Sequence, residues 1–342
     1  MPPNERIALL PGTRLCDPTY ARVLAELAAA LRRRGWQVRV FCPQTSTPRS
    51  LEQYRPAVIN LHFSGHLCRR SLLWARNAQR AGAVLALTFQ DIDHPDLPRL
   101  TAAKHADVSR LVASAEAVVA LTVPMARQVR RRHNRRGRIE VIGNGVGPRW
   151  FVSATRRGGP IVCVARLAPY KGIDILLWSF ADLARCDRSV RLAIFGPDFQ
   201  RGHYRRLARA LGVAGRVRFA GLVGEAELRR ALRRAPLVIS ASRRETYGMA
   251  LLEAMATGAP VLATRTGVAP DLLRQTATGW RVRPGDPAAL TRALRRLWSD
   301  PALRARLGTA ARQVAARHLW TERAARYDAL FRGLLRARRS GR

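Results

Sequence analysis

The sequence predicts an α/β protein with two similar-sized, doubly wound parallel-sheet domains facing a cleft, and three observations predict it. Short apolar runs of strand length alternate with longer runs of helical periodicity along almost the whole chain. Strands separated by helices need crossover connections, so they lie parallel with both sheet faces covered. The alternation breaks at VSATRRGGP, residues 152–160, and then restarts. Glycine turns follow several of the strands, and doubly wound sheets bind ligands at that end.

In the first half, RIALL at 6–10 reads as a buried strand, turned by Pro11-Gly12-Thr13 into a helix over 20–34 that stops at Gly35. Further strands are expected at 37–42, 57–61, 84–88, 117–121 and 139–142, with helices at 68–81, 105–115 and 124–132. In the second half the strands fall at 161–164, 191–195, 217–219, 237–240, 261–263 and 280–282, with helices at 173–186, 204–211, 225–234 and 249–257. The stretch 152–160 reads as the linker between domains at 1–151 and from 161 onward.

A chain of 342 residues is long enough for two domains with separate cores, and 47% hydrophobic residues fit a globular protein. No apolar run approaches the roughly 20 residues that span a bilayer, and the first residues lack a signal-peptide pattern, so a cytosolic protein is expected. The five cysteines, Cys16, Cys42, Cys68, Cys163 and Cys186, are scattered without a Cys-x-x-Cys spacing. They indicate neither a disulfide framework nor a zinc site and are expected to be buried small apolar residues.

Charge is the unusual bulk property: 61 basic against 23 acidic residues give a net +38, a field that attracts polyanions, anionic lipid surfaces and anionic small substrates alike. Only Lys104 and Lys171 among those basic residues are lysine. A position held merely for charge would be arginine here, so Lys171, between the turn Ala168-Pro169-Tyr170 and Gly172, invites a specific reason. Lys104 has no motif around it.

Residues 240–264, SASRRETYGMALLEAMATGAPVLAT, organise the second half. A strand ends, a loop runs to Gly248, and a helix begins, so free backbone N–H groups and the positive helix end form an anion site that a phosphate can approach closely. Glu245 in the loop and Glu253 on the helix frame this turn. Taken alone, each reads equally as the ordinary case, Glu245 as a solvated loop acid and Glu253 as a helix-start acid favoured by the dipole. Arg166-Leu167-Ala168-Pro169-Tyr170-Lys171-Gly172 also lies between strand and helix, and its two cations can converge on a diphosphate, Lys171 as a point charge and Arg166 as a planar fork.

In the first half, Pro11-Gly12-Thr13 is no dinucleotide fingerprint, and Gly143-Asn144-Gly145-Val146-Gly147 precedes no helix, so a dehydrogenase is not expected. Gln90-Asp91-Ile92-Asp93-His94-Pro95-Asp96 is placed in a loop at the cleft edge, able to hold a divalent ion but also composed of common loop formers. His62 sits at a strand end, either as a proton or hydrogen-bond donor or as a satisfied half-buried histidine. His66, His105, His133, His203 and His318 share no spacing.

The run from about 160 to 287 resembles, motif after motif, the nucleotide-sugar half of GT-B glycosyltransferases of the retaining family 4. The pieces that carry this are VARLAPYKGIDILLWSF, LAIFGPD, VRFAGLV, SRRETYGMALLEAMATGAPVLAT, TGVAPDLL and TGWRVRPGD. Residues 142–151 resemble the family's interdomain Asn-Gly-Val segment, and His318-Leu319-Trp320 with the run through Leu335 resembles its final helix, which crosses back to the first domain. The resemblance implies an acceptor domain at 1–151, a donor domain at 161–317 and a crossing helix within 318–342. It covers the second half closely and the first half in layout alone.

The resemblance implies transfer of a hexose, with retention at the anomeric carbon, from a UDP- or GDP-sugar to a hydroxyl on a lipid-linked or cell-surface glycan precursor. Glu245 would hydrogen-bond the sugar and Glu253 the ribose; Gly248, Met249 and Ala250 would hold the phosphates at the helix start, with Thr246, Tyr247 and Gly196 completing the donor site. Arg166 and Lys171 would stabilise the leaving diphosphate, where charge develops, so neither a metal nor a cofactor is required and no Glu acts as covalent nucleophile. Gly12, His62, Gln90 and Asp91 would lie on the acceptor side or orient the donor. The sequence departs from the family's pattern at Gln90, where relatives carry His, at Gly12-Thr13-Arg14, where a double glycine is common, and at Gly267-Val268 before Pro270-Asp271. A non-titrating Gln90 implies a reduced rate.

The basic run RQVRRRHNRRGR at 127–138 suits either an anionic membrane face, which would make the protein peripheral on the inner surface, or a solvated arginine-rich surface. The rival function class is a polyanion or nucleic-acid binder on a catalytically lapsed GT-B frame. The charge favours it; with 6% aromatic residues and no nucleic-acid module, a specific nucleic-acid partner is not expected.

Overall fold

In the computed structural model, residues 5–12, 18–64, 68–91, 101–151, 158–274 and 277–341 are described. Thr13, Arg14, Cys16, His66, the group Asp93, His94 and Asp96, and the linker residues 152–157 lie outside them, as does the side chain of Lys104. The chain divides into two compact units, Met1–Gly145 with Trp320–Arg342, and Val146–Leu319.

Unit 1 runs β1 Arg6–Pro11, α1 Pro18–Arg32, β2 Gln37–Val40, α2 Pro48–Tyr54, β3 Val58–Ser64, α3 Arg69–Arg80, β4 Val84–Asp91, α4 Ala102–Ser114, β5 Ala117–Ala120, α5 Val123–His133 and β6 Ile139–Val141. Its six strands form one parallel sheet in the order β2-β1-β3-β4-β5-β6. The central strands β3, β4 and β5 are buried almost end to end, which is why they read as unbroken apolar runs.

Unit 2 runs β7 Ile161–Val164, α6 Ile173–Cys186, β8 Leu192–Phe195, α7 His203–Ala210, β9 Val217–Gly221, α8 Glu225–Arg234, β10 Val238–Ser240, α9 Met249–Ala256, β11 Val261–Thr264, α10 Ala269–Leu272, β12 Trp280–Val282, α11 Pro287–Trp298 and α12 Pro301–Ala316. Its sheet, again six-stranded and parallel, has the order β12-β11-β10-β7-β8-β9. One core cluster fills a face of this sheet, gathering Phe180 and Leu177 of α6 with Ile161, Ile194 and Leu294.

The last helix, α13 Trp320–Arg339, belongs to unit 1. Asp328 anchors it: the Trp36 indole N–H donates to Oδ1 at 2.8 Å, Arg34 donates to Oδ2 at 2.9 Å and Arg332 to Oδ1 at 2.6 Å. Burial alone would raise this carboxyl; the three donors outweigh it and hold it below its ordinary value. The Trp36 and Phe331 rings pack edge-on at 6.3 Å beside it.

Several expectations are corrected. β4 continues to Asp91, so Gln90 and Asp91 are strand residues rather than loop residues: Phe63 pairs with Phe89 and Ser64 with Asp91, and Gln90 is the extra residue of a bulge. Glu253, read as an acid on the first turns of its helix, is the fifth residue of α9 and is buried. Of the described cysteines only Cys163 is buried, while Cys186, at the exposed end of α6, faces water. Helix α2, absent from the sequence reading, starts with a capping box in which Thr47 and Ser50 bond each other's backbones, with Pro48 in its first turn. Helices α11 and α12 were equally unplaced; both begin Asp-Pro, with Asp286 and Asp300 accepting from the N–H groups of Ala289 and Leu303.

Candidate active site

Strands of a parallel sheet share one carboxyl edge, and in unit 2 the loops on that edge are bonded to one another. The Tyr170 carbonyl, after β7, accepts the N–H groups of Arg243 at 2.8 Å and Arg244 at 3.3 Å, after β10. The Arg243 guanidinium bonds the Pro169 carbonyl at 2.8 Å and forks onto both oxygens of Asp174 at 2.8 and 2.7 Å. Burial tends to raise the Asp174 carboxyl, and the Arg243 hydrogen bonds overcome that and lower it. Gly172 makes this contact possible: its φ is +64°, and a Cβ there would lie 2.1 Å from the Ala241 carbonyl oxygen. On the other side, the Val268 N–H bonds the Tyr247 carbonyl at 2.8 Å, so the loop after β11 holds the loop after β10 in turn.

Held in this way, Lys171 and Glu245 meet. The Lys171 Nζ donates to Glu245 Oε1 at 2.7 Å, with side chains 13% and 16% exposed. The Ser242 hydroxyl donates to the same oxygen at 2.8 Å. Tyr170 is the platform beneath: Lys171 Nζ is 5.2 Å and Arg166 Cζ 5.7 Å from its ring centroid. Arg166, Lys171 and Glu245 are therefore brought together. Gly196 continues the same edge, its N–H bonding the Gly221 carbonyl at 2.8 Å where β8 and β9 end.

Four residues beyond Glu245 the chain enters α9, and this helix start differs from those of α11 and α12. Its cap is Gly248, at φ +99° and with no side chain to offer. The N–H groups of Leu251 and Leu252 turn back to the Gly248 carbonyl, at 3.1 and 3.3 Å. Those of Met249 and Ala250 take no backbone acceptor among the described residues. The helix therefore presents donors and the positive end of its dipole beside two cations, which suits an anion of high charge. Thr246 is half-buried and Tyr247 buried on the way in, and Glu253 lies buried further along α9.

The candidates of unit 1 gather separately at the end of β1, β3 and β4. The Gly12 N–H donates to the His62 carbonyl at 2.6 Å, and the Tyr20 hydroxyl reaches the same oxygen at 2.8 Å. His62 Nδ1 and Gln90 Nε2 are 3.2 Å apart, and Gln90 and Asn144 form an amide pair at 3.1 and 3.4 Å. With Nδ1 accepting from the amide, the imidazole proton sits on Nε2, which is buried without a hydrogen-bond partner. Full burial lowers His62 to about 3, so it is neutral, and the imidazolium needed of a proton donor is not present near neutral pH. Asp91 is buried next to this ladder. Among the described residues no group of three or more His, Cys, Asp or Glu side chains is placed to hold a metal ion.

Residues 157–314 match the family model of glycosyl transferases group 1. The chain belongs to that family. D-inositol 3-phosphate glycosyltransferase of Streptomyces avermitilis is 30% identical over 253 residues, covering 67% of this chain and 54% of that protein. This group 1 chain spans about half the length of the curated relatives it matches. Among solved structures, sucrose-phosphate synthase from Thermosynechococcus elongatus superposes with a TM-score of 0.81 at 21% identity, covering 98% of this chain and 100% of that one. HepE of Anabaena in complex with UDP and glucose gives 0.75 at 18% identity, covering 96% and 100%. The fold is thus GT-B-like.

Sequence reasoning about this group 1 glycosyl transferase missed Ser242, Asp174 and Arg243. Ser242 carries a local signal, a hydroxyl three positions before an acid at a loop start. The Asp174 and Arg243 pair carries none, since 69 positions separate partners that only the fold brings together.

Proposed function

We propose that this protein transfers a hexose from a nucleoside diphosphate sugar to a hydroxyl acceptor with retention at the anomeric carbon. The observation that carries the reading is the Lys171–Glu245–Ser242 cluster set directly before the uncapped start of α9. Glu245 is placed to accept from sugar hydroxyls once a ligand draws Lys171 toward phosphate. The N–H groups of Met249 and Ala250 hold the diphosphate, and Glu253 takes the ribose. As the glycosidic bond breaks, negative charge grows on the diphosphate, and Lys171 and Arg166 stabilise it there. The acceptor hydroxyl attacks from the leaving-group face and its proton passes to the departing phosphate, so no carboxylate serves as nucleophile and no metal is called on.

Unit 1 supplies the acceptor side, with Gly12, His62, Gln90 and Asp91 as orienting groups, and the acceptor is a lipid-linked or cell-surface glycan precursor. The arginine-rich α5 faces an anionic membrane on the inner, cytoplasmic side. Among the described residues no helix is long and apolar enough to cross a membrane. Relatives named D-inositol 3-phosphate glycosyltransferase support glycosyl transfer, and the HepE structures containing UDP and UDP-glucose support a sugar nucleotide donor. The test is a screen of UDP- and GDP-sugars scored by nucleoside diphosphate release, paired with thermal shift, because a ligand that binds only the folded state raises Tm. Release and stabilisation by one donor class are expected; no shift with any nucleotide overturns the reading.

A further inference from the structure

Away from the carboxyl edge, unit 2 holds a cavity of about 1100 Å³ that opens where its strands begin. Residues 158–160 ahead of β7, the residues leading into β8 and β8 itself as far as Phe195, the start of β9, and Pro236 ahead of β10 line it, and α8 forms one wall. Seven of the lining side chains are arginine and a single one, Glu227, is acidic. A hollow of that size takes a ligand as large as a nucleotide.

The arginines divide into two groups. Some serve the fold: Arg216 donates to the Ala184 carbonyl at 2.6 Å near the end of α6, and Arg304 bonds the Leu297 and Trp298 carbonyls at the end of α11 while lying 5.3 Å over the Trp298 ring. These caps cover the negative helix ends that would otherwise repel an anion. Arg218 pairs with Glu227 at 3.3 Å, which accounts for the only acid. Arg191 donates to the Arg188, Ser189 and Val190 carbonyls at 2.9, 3.0 and 3.1 Å, and Arg230 and Arg234 remain for a ligand. On α8, Glu227, Arg230, Ala231 and Arg234 share one helical face, turned to the cavity. Arg230 and Arg234 are exposed, and among the described residues their guanidinium groups make no hydrogen bond or ion pair.

The two unpaired guanidinium forks of Arg230 and Arg234, facing a mixed apolar and backbone floor, are suited to planar, bidentate contact with phosphoryl oxygens. From this we infer that the cavity binds a small anion carrying several phosphoryl groups, at a second site separate from the Lys171 edge. The ligand lies along α8 with its phosphates on Arg230 and Arg234. This site does not depend on the proposed transfer reaction.

Isothermal titration at about 0.15 M ionic strength, where the field of distant charges is largely screened, with tripolyphosphate as probe and saturating UDP in the cell, tests it. Four variants are compared with the parent chain: Arg230→Ser with Arg234→Ser, Arg234→Glu alone, Lys171→Ala, and Arg127→Ser with Arg131→Ser on α5 as a charge-matched control. One site is expected, weakened at least tenfold in both α8 variants and within twofold of the parent in the other two. Equal binding by the α8 variants overturns the inference, as does an equal loss in the α5 control, which would mark attraction by net charge only. A loss confined to Lys171→Ala overturns it too, since the probe would then occupy the carboxyl edge.

Discussion

Lys171 Nζ and Glu245 Oε1 lie 2.7 Å apart at the carboxyl edge of the unit 2 sheet, and Ser242 donates to the same oxygen. An ion pair this sheltered orients both partners, and it also sets the terms on which either is removed. Glu245→Gln leaves a largely buried ammonium with a neutral partner, at a cost of about 1–3 kcal/mol.

For activity, Lys171→Ala and Glu245→Gln are each expected to lower turnover by about 100-fold or more, the scale of losing one preorganised group at a developing charge. Lys171→Arg is expected to rescue little, because a planar fork does not fit a site built for a compact ammonium. Steady-state kinetics with the preferred donor checks this, and near parental rates in either of the first two variants remove both residues from the chemistry.

Gly172→Ala and Gly248→Ala separate crowding from backbone strain. Both glycines have positive φ, but a Cβ at Gly172 strikes the Ala241 carbonyl, whereas at Gly248 the nearest atom is Leu251 Cβ at 3.9 Å. Gly248→Ala is expected to cost about 1–2 kcal/mol from conformation alone. Gly172→Ala is expected to cost more and to part the loops after β7 and β10. Chemical denaturation ranks the two, and an equal cost contradicts the crowding argument.

His62 makes stability depend on pH in a defined window. Its folded value is lowered to about 3 by burial, against an ordinary 6.5, so between those values the unfolded chain binds a proton that the folded one does not. The stability is fully present above pH 6.5 and is lost as pH falls toward 3. His133 is lowered to about 4, by burial first and then by His105 and Arg132, and adds its own loss over the same range. A His62→Asn variant is expected to show a flatter fall of Tm between pH 7 and 4 than the parent chain. Parallel curves would show that His62 is not the source.

Helix α5 ends in Arg130, Arg131, Arg132 and His133, and Arg127, Arg130 and Arg131 are exposed. Vesicles containing anionic lipid are expected to pellet the protein at low salt, and release it as salt rises, since each basic residue near such a surface contributes about 1 kcal/mol. Arg127→Ser with Arg131→Ser should halve the bound fraction or better. Pelleting equal to that with neutral vesicles refutes the membrane reading.

Much of this was readable before any coordinates. The restart of the strand–helix alternation marks two sheets because buried parallel strands must be apolar on both faces, and the sequence places 161–164, 173–186 and 225–234 to the residue. The Gly248 helix start and the odd lysine before Gly172 point to the same edge from separate parts of the unit 2 sequence. What remained hidden was pairing across long separations: Arg243 with Asp174, Arg34 and Trp36 with Asp328, Gln90 with Asn144. Polar residues on a loop or strand end do not announce partners that only folding supplies. Helices α2, α11 and α12 carry their start signals in Thr47-Pro48 and in the two Asp-Pro steps, and α11 and α12 also bury residues at helical spacing, Leu290, Ala293, Leu294 and Leu297 in one and Leu303, Leu307, Ala311 and Ala315 in the other.

The scarcity of lysine gives the chain a built-in reporter. Reagents that acylate amines meet only Lys104, Lys171 and the amino terminus, and Lys171 is shielded by its bond to Glu245 and by Tyr170 below it. The extent of modification at that one nitrogen, followed peptide by peptide, therefore reads directly how often the Lys171–Glu245 contact opens. A ligand that separates the pair and one that seals it will move that single signal in opposite directions.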